Sequence, residues 1–283
     1  MYSMNILVSL DQNYLPQLRV LLTSLYLNHP KTHCNVYLLH REIPEEKLED
    51  LEQGLAAFGF SLFPILVDSA LFRNAPVTKQ YPQEMYYRLL AAQLLPETLD
   101  RVLYLDPDIL IINSLAPLWQ LDLKQYLFAA AAHTGKTELA NNINKVRLGT
   151  ETNYYNSGVL LMNLLKCREE VVPEDIFSYV DRHAAELVMP DQDILNALYG
   201  KRILELDDSL WNYDARNYSN YLMRSLGKAD RAWVMDNTAI LHFCGKAKPW
   251  KPRYRQRFGL LYRHYMRLTQ IFLPSGENFD NGK

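Results

Sequence analysis

The chain has 283 residues, is 48% hydrophobic and 22% charged, and carries a formal net charge of −2, a globular composition at a length that can bury a large core. No run of about 18 uncharged apolar residues occurs, which excludes a membrane-spanning helix. Three widely spaced cysteines, Cys34, Cys167 and Cys244, fit buried free thiols better than a disulfide framework or a zinc cluster.

In chain order, Met1 to Asn5 leads directly into an apolar run with neither a basic region nor a cleavage-type site, so no signal peptide is expected and the cytoplasm is the expected compartment. Asn5 to Leu10 reads as a strand. Asp11-Gln12-Asn13-Tyr14 comes next, and then a helical pattern with Leu15, Leu18, Leu22 and Leu25 on one face, Pro16 in its first turn and Pro30 just past its end. Asn35 to Leu39 is a second strand, Pro44 opens a helix with Leu48, Leu51, Leu55 and Phe58 in register, and Ser61 to Leu66 is a third strand. This alternation predicts parallel crossover units, with ligands at the carboxyl ends of the strands, where Asp11 and Asn13 lie. A helical pattern from Glu84 to Leu95 carries Arg88. Phe128 to Ala132 reads as a strand of small residues, and the polar stretch from there to Tyr155 carries only weak structural signals. Asn156-Ser157-Gly158 introduces a strand at Val159 to Met162; Gly158 signals either a close backbone approach or a bulge. Pro190-Asp191-Gln192-Asp193 opens a helix that buries Ile194, Leu195 and Leu198, its acids explicable as N-caps. Ala239 to Phe243 is the last strand and runs through His242 into Cys244-Gly245-Lys246-Ala247-Lys248-Pro249-Trp250, where glycine followed by lysines suits a phosphate.

The most informative stretch is Arg101 to Ile112, two apolar runs interrupted by Asp106-Pro107-Asp108. The flanking residues predict buried strand, and in extended geometry residues i and i+2 face the same way. Two carboxylates so placed repel unless a positive group lies between them. A divalent cation bridging to a substrate phosphate would satisfy them. The alternative is a turn, since Asp-Pro initiates turns and a second Asp can cap the segment after it.

Leu105-Asp106-Pro107-Asp108, Asn156-Ser157-Gly158, Asp191-Gln192-Asp193 and His242 through Trp250, in this order, resemble the family 8 glycosyltransferases. Within the family the chain resembles in particular bacterial lipooligosaccharide galactosyltransferases of the retaining type and general-stress-type relatives; glycogenin-like enzymes share the same signatures. The resemblance runs from about Asn5 to Trp250. It implies an α/β GT-A fold, a Rossmann-like mixed sheet flanked by helices, over residues 1–250, with residues 251–283 as a basic, aromatic extension. It implies Asp106, Asp108 and His242 as ligands of manganese, with magnesium the alternative; the imidazole nitrogen favours manganese. It further implies a UDP-sugar donor: Asp11, Asn13 and Tyr14 at the uridine, Gly245 and Lys248 at the diphosphate, Arg88 and Asp191 at donor sugar or phosphate, and Asn156 and Gly158 lining the pocket. Gln192 corresponds to the residue on the sugar face where a nucleophile would stand. An amide is a poor nucleophile, which favours front-face attack; a covalent role for Asp191 or Asp193 stays open. Gln12 departs from the many relatives that carry a second acid after Asp11, although its amide can still bond a base or ribose.

The expected function is therefore transfer of glucose or galactose from UDP-glucose or UDP-galactose to a glycan or lipid-linked acceptor in cell-surface glycan synthesis. A nucleotidyltransferase would normally carry a Gly-rich basic loop after the first strand, which Asp11 to Tyr14 is not. A catalytically silent carbohydrate-binding protein is the other alternative. Lys246 to Arg267 holds eight Lys and Arg and no acid, which points to an anionic partner. No nucleic-acid module accompanies these charges. They alternate with Trp250, Tyr254, Phe258, Tyr262, Tyr265 and Phe272 at helical spacing, so residues 246–272 are expected either to anchor the protein peripherally on the anionic inner membrane face or to pack their aromatic side on the domain.

Overall fold

The computed structural model describes residues 3–72, 84–132 and 138–275. Seven strands form one mixed sheet: β1 (Ser3–Ser9), β2 (His33–His40), β3 (Ser61–Leu66), β4 (Arg101–Leu105), β6 (Phe128–Ala131), β7 (Val159–Asn163) and β8 (Ile203–Leu206), in the order β3-β2-β1-β4-β7-β6-β8. The run β3-β2-β1-β4 is parallel, β7 is antiparallel to both β4 and β6, and β6 is parallel to β8. A second sheet of three short strands, β5 (Ile109–Ile111), β10 (Ile240–His242) and β9 (Tyr213–Asp214), stands beside it.

The unbroken apolar runs of the central strands follow from burial on both faces. Along β1, Ile6 and Val8 join the core formed with the Leu15–Asn28 and Glu45–Ala56 helices, while Leu7 between them joins the opposite core with Tyr37, Tyr86 and Leu90. Leu18, Leu22, Leu25, Leu51 and Leu55 are fully buried, as their periodicity predicts. Phe58 is buried as expected but lies beyond the helix end at Ala56. The three cysteines are buried and form no disulfide, and burial pushes the Cys34 thiol up to about 12.

Several expectations change. The pattern from Glu84 to Leu95 is not one helix but two short ones, Glu84–Tyr87 and Ala91–Leu94, because Tyr86, Tyr87, Leu89 and Leu90 are all buried and share no single face. The polar stretch after β6 contains a helix, Glu138–Leu148, held through Arg147 rather than by an apolar stripe, with Ile143 and Val146 exposed. Leu198 is only partly buried. Asp106-Pro107-Asp108 is a turn that carries the chain from β4 in one sheet to β5 in the other. The segment is thus a turn, as one reading had it, and it directs both carboxylates to one cleft.

The C-terminal segment packs on the body of the protein. Its helix, Gly259–Phe272, lies against the Leu15–Asn28 helix, and Tyr254, Phe258 and Tyr262 enter a third core with Phe243, Tyr213 and Leu241 of the small sheet. These three rings of the aromatic side foreseen for a membrane are therefore occupied, while Phe272 stays 43% exposed. Among the described residues no helix is long and apolar enough to cross a membrane.

Candidate active site

The carboxyl ends of β1 and β4, the amino end of β7 and the turn between the two sheets meet at one edge. Here lies a cleft of about 670 Å³, lined by Arg88, Asp106, Asp108, Asn156, Asp191 and Gln192 together with His242, Gly245 and Lys248. Segments from five distant parts of the chain supply these side chains. The helix Pro190–Tyr199 presents Asp191 and Gln192, and pairing of Ile109 with His242 across β5 and β10 sets Asp108 beside the imidazole.

Asp106, Asp108 and His242 each offer a ligand atom, all within 4.8 Å of one another. His242 Nε2 lies 3.2 Å from Asp108 Oδ1 and 3.8 Å from Asp106 Oδ2. Two carboxylates and an imidazole around one point fit a divalent ion, with nitrogen favouring manganese over magnesium. Cationic protein groups also face these carboxylates. Lys248 Nζ donates to Asp108, and Arg88 bridges Asp106 at 3.0 Å and Asp191 at 3.2 Å while its guanidinium lies over the Tyr104 ring. Burial would raise the Asp108 pKa, but His242 and Lys248 outweigh it and hold it below the usual carboxylate range. Burial would lower that of His242, yet Cys244 and Asp108 raise it well above the ordinary imidazole value.

The orientation of the imidazole can be followed to a backbone amide. Gly158 N–H donates to Asn156 Oδ1 at 3.0 Å, which fixes that oxygen as an acceptor. Asn156 Nδ2 then donates to Gln192 Oε1 at 3.1 Å, and Asn212 Nδ2 donates to Asn156 Oδ1 at 2.9 Å. Asn212 Oδ1 is left to accept from His242 Nδ1, at 2.8 Å, so Nδ1 carries a proton in either charge state of the ring and Nε2 points at the carboxylates. Asn212 carries no motif signal and was not legible in sequence; only the pairing of neighbouring β9 with β10 brings it to His242. Gly158 is explained by space, because a side chain there would collide with His242 and Asp106. Gly245 has φ of +83°, a left-handed conformation that favours glycine.

The acids of Asp191-Gln192-Asp193 are not N-caps. Asp191 Oδ2 accepts the Ser157 hydroxyl at 2.8 Å and faces Arg88. Asp193 is fully buried, and its oxygens accept from Arg147, Tyr154 and the backbone N–H groups of Val188 and Met189, which precede the helix. Of the two, only Asp191 opens to the cleft. Asp11, Asn13 and Tyr14 do not line it. Asp11 accepts from Asn13 N–H and so caps the Gln12–Tyr14 turn, and with Asn13 it lines a separate cavity of about 150 Å³ beside Arg41 and Glu84. Tyr14 stands edge-on to Trp250, ring centroids 6.3 Å apart.

A mixed Rossmann-like sheet of this order, with an acidic turn and an imidazole at its ligand-binding edge, defines a glycosyltransferase of GT-A fold. The chain belongs to glycosyl transferase family 8, whose family model matches residues 5–253. It is 28% identical to general stress protein A of Bacillus subtilis, over 94% of each chain, and 25% identical to a lipopolysaccharide 1,2-glucosyltransferase of Escherichia coli, over 87% of this chain and 73% of that one. Among solved structures it is similar to the galactosyltransferase LgtC in complex with donor and acceptor sugar analogues, at 27% identity and a TM-score of 0.77 over 94% of this chain and 96% of that one. It is likewise similar to an active-site mutant of LgtC in which a glutamine is replaced by glutamate, at 26% identity and a TM-score of 0.78, with the same coverage.

Proposed function

We propose that this protein is a retaining hexosyltransferase that moves glucose or galactose from UDP-glucose or UDP-galactose to a glycan or lipid-linked acceptor of the cell surface. The observation that carries the reading is the convergence of Asp106, Asp108 and His242, 136 residues apart at the extremes in sequence numbering, on one point of a cleft whose remaining charges suit a diphosphate. The relatives named for glucosyl and galactosyl transfer support these two donors.

Asp106, Asp108 and the Nε2 of His242 would hold manganese, or magnesium, whose chemistry is to neutralise the diphosphate and stabilise the departing UDP. With His242 neutral as a ligand, the carboxylates Asp106, Asp108, Asp191 and Asp214 outnumber the cations Arg88, Arg216 and Lys248 in the cleft lining by one, so a divalent ion would turn a slightly negative cleft into one that attracts a diphosphate. Lys248, displaced from Asp108, and Gly245 then serve the phosphates, while Arg88 and Asp191 serve the donor sugar. Asn156 and Gly158 shape the wall, and Asp11, Asn13 and Tyr14 serve the uridine. Gln192 lines the sugar face, a role supported by the active-site glutamine of LgtC. In front-face attack the acceptor oxygen bonds to the anomeric carbon as the bond to UDP breaks on the same side, and the acceptor's proton passes to the departing phosphate. Asp191 is the carboxylate left for a covalent alternative.

Residues 1–250 form the catalytic unit in this proposal and 251–283 its supporting extension. Cytoplasmic residence at the inner membrane face fits a lipid-linked acceptor. It would rest on the exposed cations Lys246, Lys251, Arg253, Arg255, Arg257, Arg263 and Arg267, not on the aromatic face. The test is UDP release from a panel of UDP-sugars with manganese. Hydrolysis of one donor without acceptor is expected; turnover of none, with intact UDP binding, would favour the silent binding protein. Gln192→Ala should keep donor affinity within a few-fold and lose about 10²-fold in kcat. Collapsed affinity with surviving turnover would make Gln192 a binding residue only.

A further inference from the structure

Asp214 and Arg216 stand out in the cleft because neither belongs to any motif, yet they form its most fully specified ion pair. Asp214 is completely buried and lies in β9 directly beside His242 of β10. Its carboxylate accepts from Arg216 N–H at 3.0 Å, from Arg216 Nε at 2.9 Å, from Arg216 Nη2 at 2.7 Å and from Asn217 Nδ2 at 2.7 Å. Two guanidinium nitrogens and the residue's own amide are thereby fixed, which removes most of the rotational freedom of the arginine. The third nitrogen, Nη1, makes no hydrogen bond among the described residues. It lies against Gly245, where an added side chain would collide with it. Arg216 is 40% exposed and lines the same cleft as Gly245 and Lys248.

The pair is neutral as a whole, but its negative end is buried and its positive end faces the cleft. A guanidinium held by two nitrogens presents the third as a fixed donor, and the ligand class that such a donor selects is an anionic oxygen, above all phosphate. Holding the loop in place needs only Nε, Nη2 and the amide. We propose that Arg216 Nη1 is a docking point for a phosphate-class oxygen, supplied by the donor's diphosphate or by an acidic group on the acceptor. This rests on the reading of the cleft as a sugar-nucleotide site.

The experiment is isothermal titration of the full chain and two variants with UDP in the presence of manganese, and with inorganic phosphate both alone and after saturation with UDP and manganese. Arg216→Gln strands the buried Asp214, so the paired variant D214N/R216Q, which removes both charges, is measured beside it, with melting temperature as the fold check. If the donor is the source, UDP should bind about tenfold more weakly or worse in the folded variants. If the acceptor is the source, UDP affinity should hold while phosphate binding to the UDP-saturated protein falls by a similar factor. Equal affinities for both probes in wild type and a folded variant would overturn the inference, since a purely loop-holding arginine moves melting temperature alone. Failure of the wild type to bind UDP would overturn the transferase reading instead. Phosphate titrated alone then decides Arg216: a comparable loss in the variants upholds it and no change refutes it.

Discussion

The molecule concentrates charge in two places, and it treats them in opposite ways. In the cleft, acids and bases from distant parts of the chain turn inward and satisfy one another: Arg88 with Asp106 and Asp191, Lys248 with Asp108, Arg216 with Asp214. In the C-terminal segment, cations adjacent in sequence turn outward, and of the eight between Lys246 and Arg267 only Lys248 is drawn in. Charges removed from water must be matched by partners in good geometry, whereas solvated ones need none. Density of charge in the sequence is therefore a poor guide to where chemistry happens. In the proposed function the isolated acids at 106, 108 and 191 matter more than the basic run.

The two regions nevertheless touch. Tyr262 of the C-terminal helix is fully buried against Phe243 and Trp250, close enough to Asp108 that the carboxylate adds to burial in raising its phenol pKa. The apolar face of the basic helix thus forms the back wall of the strand that ends at His242. Away from the cleft, Arg19 ties the end of the C-terminal segment to the body, donating to Pro274 O at 3.2 Å and pairing with Asp50 at 2.5 Å.

The sharpest way to break this contrast is at the cleft. Asp108→Asn removes one candidate ligand and the partner of both His242 and Lys248. UDP release with manganese should fall by about 10³-fold, with the circular dichroism spectrum intact. Unchanged turnover, or full activity in excess chelator, would refute the metal reading.

Next in size is the buried face of the helix. Tyr262→Ala should cost about 3–5 kcal/mol in denaturant unfolding, as removal of a fully buried ring does. Tyr262→Phe should be neutral or stabilising, because the hydroxyl is buried without a hydrogen-bond partner among the described residues. A negligible effect of the alanine would mean that this helix is not part of the folded body.

Smaller is the orientation of the imidazole. Asn212→Ala should weaken manganese binding by about 10–100-fold, read by electron paramagnetic resonance titration, because it frees the His242 ring while leaving every ligand in place. Asn212→Asp, which keeps the acceptor, should recover part of the loss.

The smallest effect belongs to the solvated charges. Neutralising Arg263 and Arg267 should change stability by less than about 0.5 kcal/mol. If the segment meets a membrane, the same change should reduce co-sedimentation with anionic vesicles at low salt, each cation contributing about 1 kcal/mol near the surface. High salt should release the wild type. Vesicle binding that survives both treatments would return the aromatic face to consideration.

What the sequence determined was local and periodic. The alternation of strands and helices to Leu66 was readable, because burial on fixed faces imposes fixed spacing, and the cleft residues Asp106, Asp108, Asn156, Asp191, Gln192, His242, Gly245 and Lys248 were readable from the motifs that carry the family resemblance. Tertiary structure alone decided three further features. It split Arg101 to Ile112 between two sheets, because the second run pairs with β10 rather than continuing the first. It gave the Glu138–Leu148 helix its anchor, because Arg147 finds Asp193 46 residues away. It also brought Asn212, Asp214 and Arg216 beside His242 and Gly245, through a strand pair only two residues long. Such contacts leave no period in the chain, since their partners are selected by proximity in space and by the requirement that a buried polar group be matched.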